Sequence, residues 1–432
     1  MADYNTPTDM SLQIHPSTTY QYPEQYTSGQ ANFVRFTPIN AGAWGPGTDI
    51  IFRLQSSNEF IDIDRSYVKL TFQETGILAG NSIGSLSSQG GTSFINQVTD
   101  TLGGTQLPVY RQPNFYQSIE NKTSTFDRQC NLTQTQNALL FGGIQAITTP
   151  GNVLYSNATG TNGSLLTGTA GSLNTVCIPV CSYLATCQKL IPLALINGGL
   201  EHRITLENYN TAFVSKPNGG YQVTVAELHA FMVKPSDAYL QQLKHEIDTG
   251  SSIKLPIQLK KWYQTTLAAS STNTLKLQTG FFNSLDSILV EHIAAANWNV
   301  AGTTDGGTAK DSFAGNSLVK NITNFNIVIS GVRYPRTFDV VNDTGCQQMM
   351  ILSAFSSRYP SLQIPTTNNS ILFYSWCPNG EFAQGISTSD GYIELNLSYT
   401  TLPTAGDFLN CMFNYSGLIE VKESGSVVDL SY

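Results

Sequence analysis

The chain of 432 residues carries 22 Lys and Arg against 30 Asp and Glu, a formal net charge of −8, and its length makes two domains the default over any single small module. Charged residues make up only 12% of it, against roughly 25% in ordinary soluble proteins; this excludes a helical protein with Glu- and Lys-rich faces, while 21 Phe and 20 Tyr exclude a disordered one. The densest basic stretch holds only Lys254, Lys260 and Lys261, so attraction to phosphate is not encoded and direct nucleic acid contact is not expected.

Residues 1–46 read as an N-terminal arm of Tyr, Pro, Thr and Gln without periodicity, running into Ala41-Gly42-Ala43-Trp44-Gly45-Pro46-Gly47; such a segment is ordered by what it lies against. Met1 to Gln30 lacks the basic start and apolar run of a signal peptide, and no later segment is apolar enough to span a membrane, so synthesis in the cytosol is expected. Alternation begins with Ile50, Phe52 and Leu54 and continues through Ile61 and Ile63 to Val68, Leu70 and Phe72, the period-two signature of strands with one buried face. Gly76 to Thr92 reads as a loop, Phe94 to Leu107 as strands, Asn114 to Glu120 as a short helix, and Thr148 to Thr175 as a long polar loop.

Leu200, His202, Ile204 and Leu206 alternate with Glu201, Arg203, Thr205 and Glu207, and a further strand is predicted from Tyr221 to Val233. The period then turns helical: Leu240, Leu243 and Ile247 share a face, with Ser236 as N-cap and Gly250 as stop. Strands resume at Ile253–Leu259, Thr274–Leu277, Leu285–Ile293, Phe325–Val332, Leu372–Trp376 and Ile393–Ser398, with Gly417–Val421 and Val427–Tyr432 closing the chain. The economical division is an arm (1–46), a β domain (47–235), a connector helix (236–252) and a second β domain (253–432), each β domain long enough for about eight strands in two packed sheets.

No constellation calls for catalysis or a cofactor. Gly80-Asn81-Ser82-Ile83-Gly84 has the letters of a hydrolase nucleophile elbow but neither the strand before nor the helix after it. His15, His202, His229, His245 and His292 are too scattered for a ligand pair, and His202, on an apolar strand face, reads as a hydrogen-bonded core residue. Asp62 and Asp64 could pair as carboxylates or hold a cation; a solvated face balanced by Arg65 and Lys69 is the stronger reading. Cys130, Cys177, Cys181, Cys187, Cys346, Cys377 and Cys411 are odd in number and read as free thiols in a reducing compartment rather than as disulfides or a zinc site. No catalytic, cofactor-binding or metal residue is assigned. Aromatic residues in the arm, at Trp262-Tyr263 and around Phe373, Tyr374 and Trp376 exceed what cores need and point to protein–protein contact.

Three stretches carry a family likeness: Ile191-Pro192-Leu193 through Gly198-Gly199-Leu200-Glu201 to Thr205-Leu206-Glu207; Tyr221 to Leu243 with its Ser236-Asp237-Ala238-Tyr239-Leu240 helix; and Ile329-Ser330-Gly331-Val332-Arg333-Tyr334-Pro335. Over residues 50–432 the chain resembles the double jelly-roll major capsid proteins of double-stranded DNA viruses, in particular those of polinton-like viruses, virophages and adintoviruses. These are patterns of fold, not of chemistry. The resemblance implies an all-β chain of two tandem eight-stranded jelly-roll β-sandwiches joined by one helix, with no enzymatic activity. It implies a homotrimer forming a pseudo-hexameric capsomer that tiles an icosahedral virion shell. Its partners would be neighbouring capsomers, penton and minor capsid or cement proteins, and, given the acidic balance, an internal membrane or separate basic proteins would face the genome. The alternative is a carbohydrate-binding or glycan-cleaving β-sandwich protein, which the missing signal peptide and the lack of a convincing carboxylate pair disfavour.

Overall fold

A computed structural model describes residues 30–40, 42–76, 85–86, 90–116, 173–187, 189–214, 219–277, 280–296, 298–300, 322–337, 339–341, 371–377, 385–388, 391–422 and 425–429. The first half holds β1 (Gln30–Phe36), β2 (Asp49–Leu54), β3 (Phe60–Thr75), β4 (Ser85–Leu86), β5 (Ile95–Leu102), β6 (Thr105–Gln106), β7 (Tyr110–Arg111), β8 (Leu173–Pro179), β9 (Leu200–Leu206), β10 (Phe213–Val214) and β11 (Gly220–Lys234). After the connector helix, Asp237–Asp248, the second half holds β12 (Ile253–Thr266), β13 (Thr272–Leu277), β14 (Leu285–Ile293), β15 (Ile322–Ile329), β16 (Val332–Tyr334), β17 (Ile371–Ser375), β18 (Ile393–Tyr399), β19 (Phe408–Val421) and β20 (Val427–Asp429).

The first half folds into sheets ordered β1-β11-β3-β8 and β2-β9-β5-β6, with β7 also on β5 and a separate β4–β10 pair; the second into β12-β19-β14-β17, with β20 on β19, and β13-β18-β15-β16. Setting aside the short β4, β7, β10 and β20, the two halves have one topology. In each, the first strand of the half lies beside the eighth, then the third and sixth; the second lies beside the seventh, then the fourth and fifth. That is the jelly roll, two interleaved Greek keys, built twice in one chain.

Each roll is held by the inward residues of its two sheets. In the first, Val68, Leu70 and Phe72 of β3 join Ile50, Phe52 and Leu54 of β2 in one cluster; in the second, Ile288 and Val290 of β14 join Ile327 and Ile329 of β15 and Leu395 and Leu397 of β18. Each such side chain contributes about 1.5–3 kcal/mol on burial. The first cluster continues across the junction to Leu255, Ile257 and Leu259 of β12, Leu289 of β14 and Met412 of β19. All of β14 is therefore buried on both faces, whereas β3 alternates buried and partly exposed along Tyr67 to Glu74.

The connector helix matches its reading: the Ser236 hydroxyl accepts from Tyr239 N at 3.4 Å, and Gly250 takes φ +100 beyond its end. Three expectations need correcting. Residues 30–36, assigned to the arm, are β1, paired along their length with β11, because Val34 and Phe36 pack on the core; Trp44 likewise bridges to Val223. The single strand Phe325–Val332 breaks at Ser330 and Gly331, with φ of 49 and 78, into the β15–β16 hairpin whose register pairs Ile329 with Val332. The last long strand begins at Phe408, nine residues before the predicted Gly417; from Leu409 to Asn414 both of its faces are buried, so that part shows no alternation. Residues 113–116 form one helical turn of the predicted short helix. The rest of that helix, residues 1–29 of the arm and 148–172 of the loop predicted at Thr148 to Thr175 lie outside the described residues, while the last three residues of that loop, Leu173 to Thr175, open β8.

Candidate assembly surfaces

The junction between the rolls shows how this chain joins one jelly roll to another. A helical turn, Tyr183–Cys187, follows β8 and sits on the open edge of β12. There Thr186 Oγ1 accepts from Gln258 N at 2.8 Å, and the Tyr183 hydroxyl donates to the carbonyl of Lys260. Lys260 Nζ lies 4.5 Å from the Tyr116 ring centre and 5.7 Å from that of Tyr110, within cation–π range. Tyr110 in turn stacks on Tyr183 at 4.7 Å and meets Tyr116 edge-on at 5.7 Å. At the other end of the junction Asn197 N donates to Gly425 O at 3.2 Å and Thr105 Oγ1 to Val427 O at 2.7 Å.

Beneath that turn lies a buried polar centre. Asp100 of β5 accepts from His202 Nδ1 of β9 at 2.6 Å and from Ser182 Oγ at 2.5 Å. The Ser182 hydroxyl then accepts from Leu184 N at 3.0 Å, which starts the turn carrying Tyr183 and Thr186. His202 is thus the core residue its strand position implied, and Asp100 is a partner the sequence reading missed, although Asp100 occupies an inward position between Val98 and Leu102. The second roll has a separate pair, His292 Nε2 and Asp407 Oδ2 at 3.0 Å, with Asp407 also capping Ala295 N. Glu207, the residue after β9, accepts from Asn208 N, Asn96 and Asn114. Burial nevertheless holds its carboxyl above the ordinary range against those donors and Gln112.

The outward face of β1-β11-β3-β8 is different in kind. Tyr67 stacks on His229 at 4.8 Å and 3°, and Phe33 meets Phe231 edge-on at 5.1 Å while remaining 49% exposed. Glu227 receives Arg35, Lys69 and His229 Nε2; partial burial opposes its ionisation, but the bonds from Lys69 and His229 hold the carboxyl below its usual range. On the second roll, Tyr334 of β16, Tyr374 of β17 and Trp376 form an aromatic cluster with ring centres 5.0 to 5.9 Å apart.

Asp62 and Asp64 do not share a solvated face. Asp62 is buried, accepts from Arg65 N, and pairs with Arg65 Nε at 3.4 Å; the strand is irregular there, with a register shift opposite His229 and Phe231. Asp64 points outward, its carboxyl raised by burial and by Asp62, and Lys69 serves Glu227 instead. Cys177 and Cys181 are half-buried, and Cys187, Cys377 and Cys411 buried, all as free thiols; burial pushes Cys187 up to about 12. Among the described residues no three His, Cys, Asp or Glu gather as a metal site, and no helix is long and apolar enough to cross a membrane. Cys130, Cys346, His15 and Gly80–Gly84 lie outside the described residues.

No protein-family model and no curated protein matches this chain. Its fold is nevertheless that of known structures. PBCV-1 VP54, as fitted into a reconstruction of the virophage Sputnik, superposes with a TM-score of 0.63 at 11% identity over 95% of this chain and 99% of that one. The Faustovirus major capsid protein gives 0.58 at 9% identity, over 95% and 93%. The Sputnik virophage structure gives 0.53 at 11% identity, over 98% and 92%. At such identity the likeness establishes the double jelly-roll fold over essentially the whole chain.

Proposed function

We propose that this chain is a major capsid protein, a structural subunit whose copies form homotrimers of pseudo-hexagonal outline that tile an icosahedral virion shell. The observation that carries the reading is the tandem repeat: the described residues form two jelly rolls of identical strand order, and the solved structures that share this fold over 95–98% of the chain include the Faustovirus major capsid protein and the Sputnik virophage. A chain with two like rolls supplies six to a trimer, so a threefold assembly presents a nearly sixfold outline that packs on a hexagonal net. The scarcity of charge supports the same conclusion, since a surface built to be covered by its own copies avoids the cost of desolvating ions. Neighbouring capsomers, penton and minor capsid or cement proteins are the partners of this role. The acidic balance supports a shell that meets the genome through an internal membrane or separate basic proteins.

The test is native mass followed by electron microscopy of the purified protein. A particle of three times the 47.0 kDa chain mass with a hexagonal outline is the expected result. A monomer at all concentrations that binds an oligosaccharide array would replace it with the glycan-binding alternative.

A further inference from the structure

The segment that joins β8 to β9 ends in the turn Ile196-Asn197-Gly198-Gly199, closed by Gly199 N donating to Ile196 O at 3.4 Å. Ile196 and Leu200 are buried, while Asn197 and Gly198 stand exposed between them. Neighbours fix both ends of the turn. Asn197 N donates to Gly425 O, in the turn between β19 and β20, and Gly199 O accepts from Gly103 N at 2.9 Å. Gly199 also passes so close to Leu54 that a Cβ on it would lie 2.2 Å from the Leu54 carbonyl oxygen.

The peptide unit in the middle is not held from its nitrogen side: among the described residues the Gly198 N–H donates no hydrogen bond. Gly198 takes φ +84, and even a Cβ there would meet nothing nearer than 4.0 Å. Nothing therefore stops that peptide plane from rotating its nitrogen onto the side-chain amide carbon of Asn197, and glycine puts no Cβ in the path. Among the described residues this is the only Asn-Gly pair. A cavity of about 250 Å³ beside it, lined by Asn197, Lys244, Asp248 and Gly425, admits water.

We propose that Asn197-Gly198 is a site of spontaneous covalent modification that loosens the joint between the two rolls. Gly198 N gives up its proton to water and bonds to Asn197 Cγ. The Cγ–Nδ2 bond breaks, and the side-chain nitrogen takes up a proton and leaves as ammonia, closing a five-membered succinimide. Water then opens the ring. Addition at Cγ leaves aspartate; addition at the main-chain carbonyl carbon of Asn197 leaves isoaspartate, whose backbone runs through the former side chain and is one methylene longer. Because burial holds Ile196 and the Leu54 contact holds Gly199, the added length displaces Asn197 N from Gly425 O. Both products also add a carboxylate to a cavity that Asp248 already lines. The ammonia is lost to solvent, so the change runs one way.

The experiment incubates the full chain in mildly alkaline buffer, which speeds loss of the amide proton, and samples it over days. Trypsin, cutting after Lys189 and Arg203, releases peptide 190–203, in which Asn197 is the only asparagine. Chromatography and mass spectrometry separate its amide, aspartyl and isoaspartyl forms. The native chain should convert within tenfold of the rate of the same peptide free in solution, with isoaspartate the larger product. Converted molecules, separated by their extra negative charge, should show faster hydrogen exchange over 425–429. Asn197→Gln, which keeps an amide but needs a six-membered ring, should convert at least tenfold more slowly and keep the slow exchange. A native chain that retains its amide while the free peptide loses it overturns the site. Converted molecules that exchange like unconverted ones, or an Asn197→Gln variant whose exchange quickens with time like wild type, overturn the loosening.

Discussion

Asp100→Ala deletes the acceptor of two buried hydrogen bonds, from His202 at 2.6 Å and Ser182 at 2.5 Å, among side chains no more than 4% exposed. A hydrogen bond to a charged group is worth about 1.5–3 kcal/mol, and removing one partner of a buried charged pair costs about 3–5 kcal/mol. The two bonds share one carboxylate and do not add fully, so the expected loss is about 4 kcal/mol. For a unit of 150–250 residues each kcal/mol lowers Tm by about 2–4 °C, which predicts a fall of about 8–16 °C by calorimetry. The double variant with His202→Ala should cost at least about 1 kcal/mol less than the sum of the singles. Because Ser182 also starts the turn that bonds β12, exchange should quicken at 183–187 and at 258–260. Leu395→Ala, a fully buried deletion in the second roll costing about 2–5 kcal/mol, should leave those amides unchanged. A Tm within about 3 °C of wild type, or strict additivity in the double variant, would refute the reasoning.

A Cβ on Gly425 would lie 2.4 Å from Leu195 O with φ at +69, whereas Gly104 at φ +84 meets nothing within 4 Å. Gly425→Ala should therefore lower Tm well beyond Gly104→Ala, which carries only the about 1–2 kcal/mol of left-handed strain; equal shifts in a thermal melt would remove the close-approach argument. The raised carboxyl of Glu207 means that its protonated form favours the fold. Its contribution is full below the unfolded-state value near 4.5 and is lost as pH rises through the higher folded-state value, so Glu207→Gln should flatten the rise of urea sensitivity with pH over that window. Alkylation of the native protein at about pH 8 should spare Cys187 and Cys411 until urea is added, since burial raises both thiols; peptide mapping that finds either labelled in the native state contradicts that burial.

Legibility followed exposure. Strands with one wet face, such as β9 with Leu200, His202, Ile204 and Leu206 turned inward, are readable because water writes alternate polar residues onto the other side. β19 was half invisible because Asn410, Met412 and Asn414 are as buried as Leu409, Cys411 and Phe413, so no polar face marks its period. β1 failed for the opposite reason: an exposed edge strand with two inward anchors, Val34 and Phe36, looks like a tail. The contact between the rolls could not be read at all. Tyr183 and Lys260 are 77 residues apart and meet only because both jelly rolls are complete.

The polar contacts traced across the junction are hydroxyl to carbonyl, amide to hydroxyl, backbone to backbone and cation to ring. The pairs Arg53–Glu201 and Arg35–Glu227 instead lie on outer faces, with at least one member well exposed. Taking a charged pair out of water costs several kcal/mol per ion before any attraction is recovered, so a surface that joins by hydroxyls, amides and ring faces keeps most of its apolar gain. The face carrying β1 differs by one feature, the Glu227 network with Arg35 and Lys69.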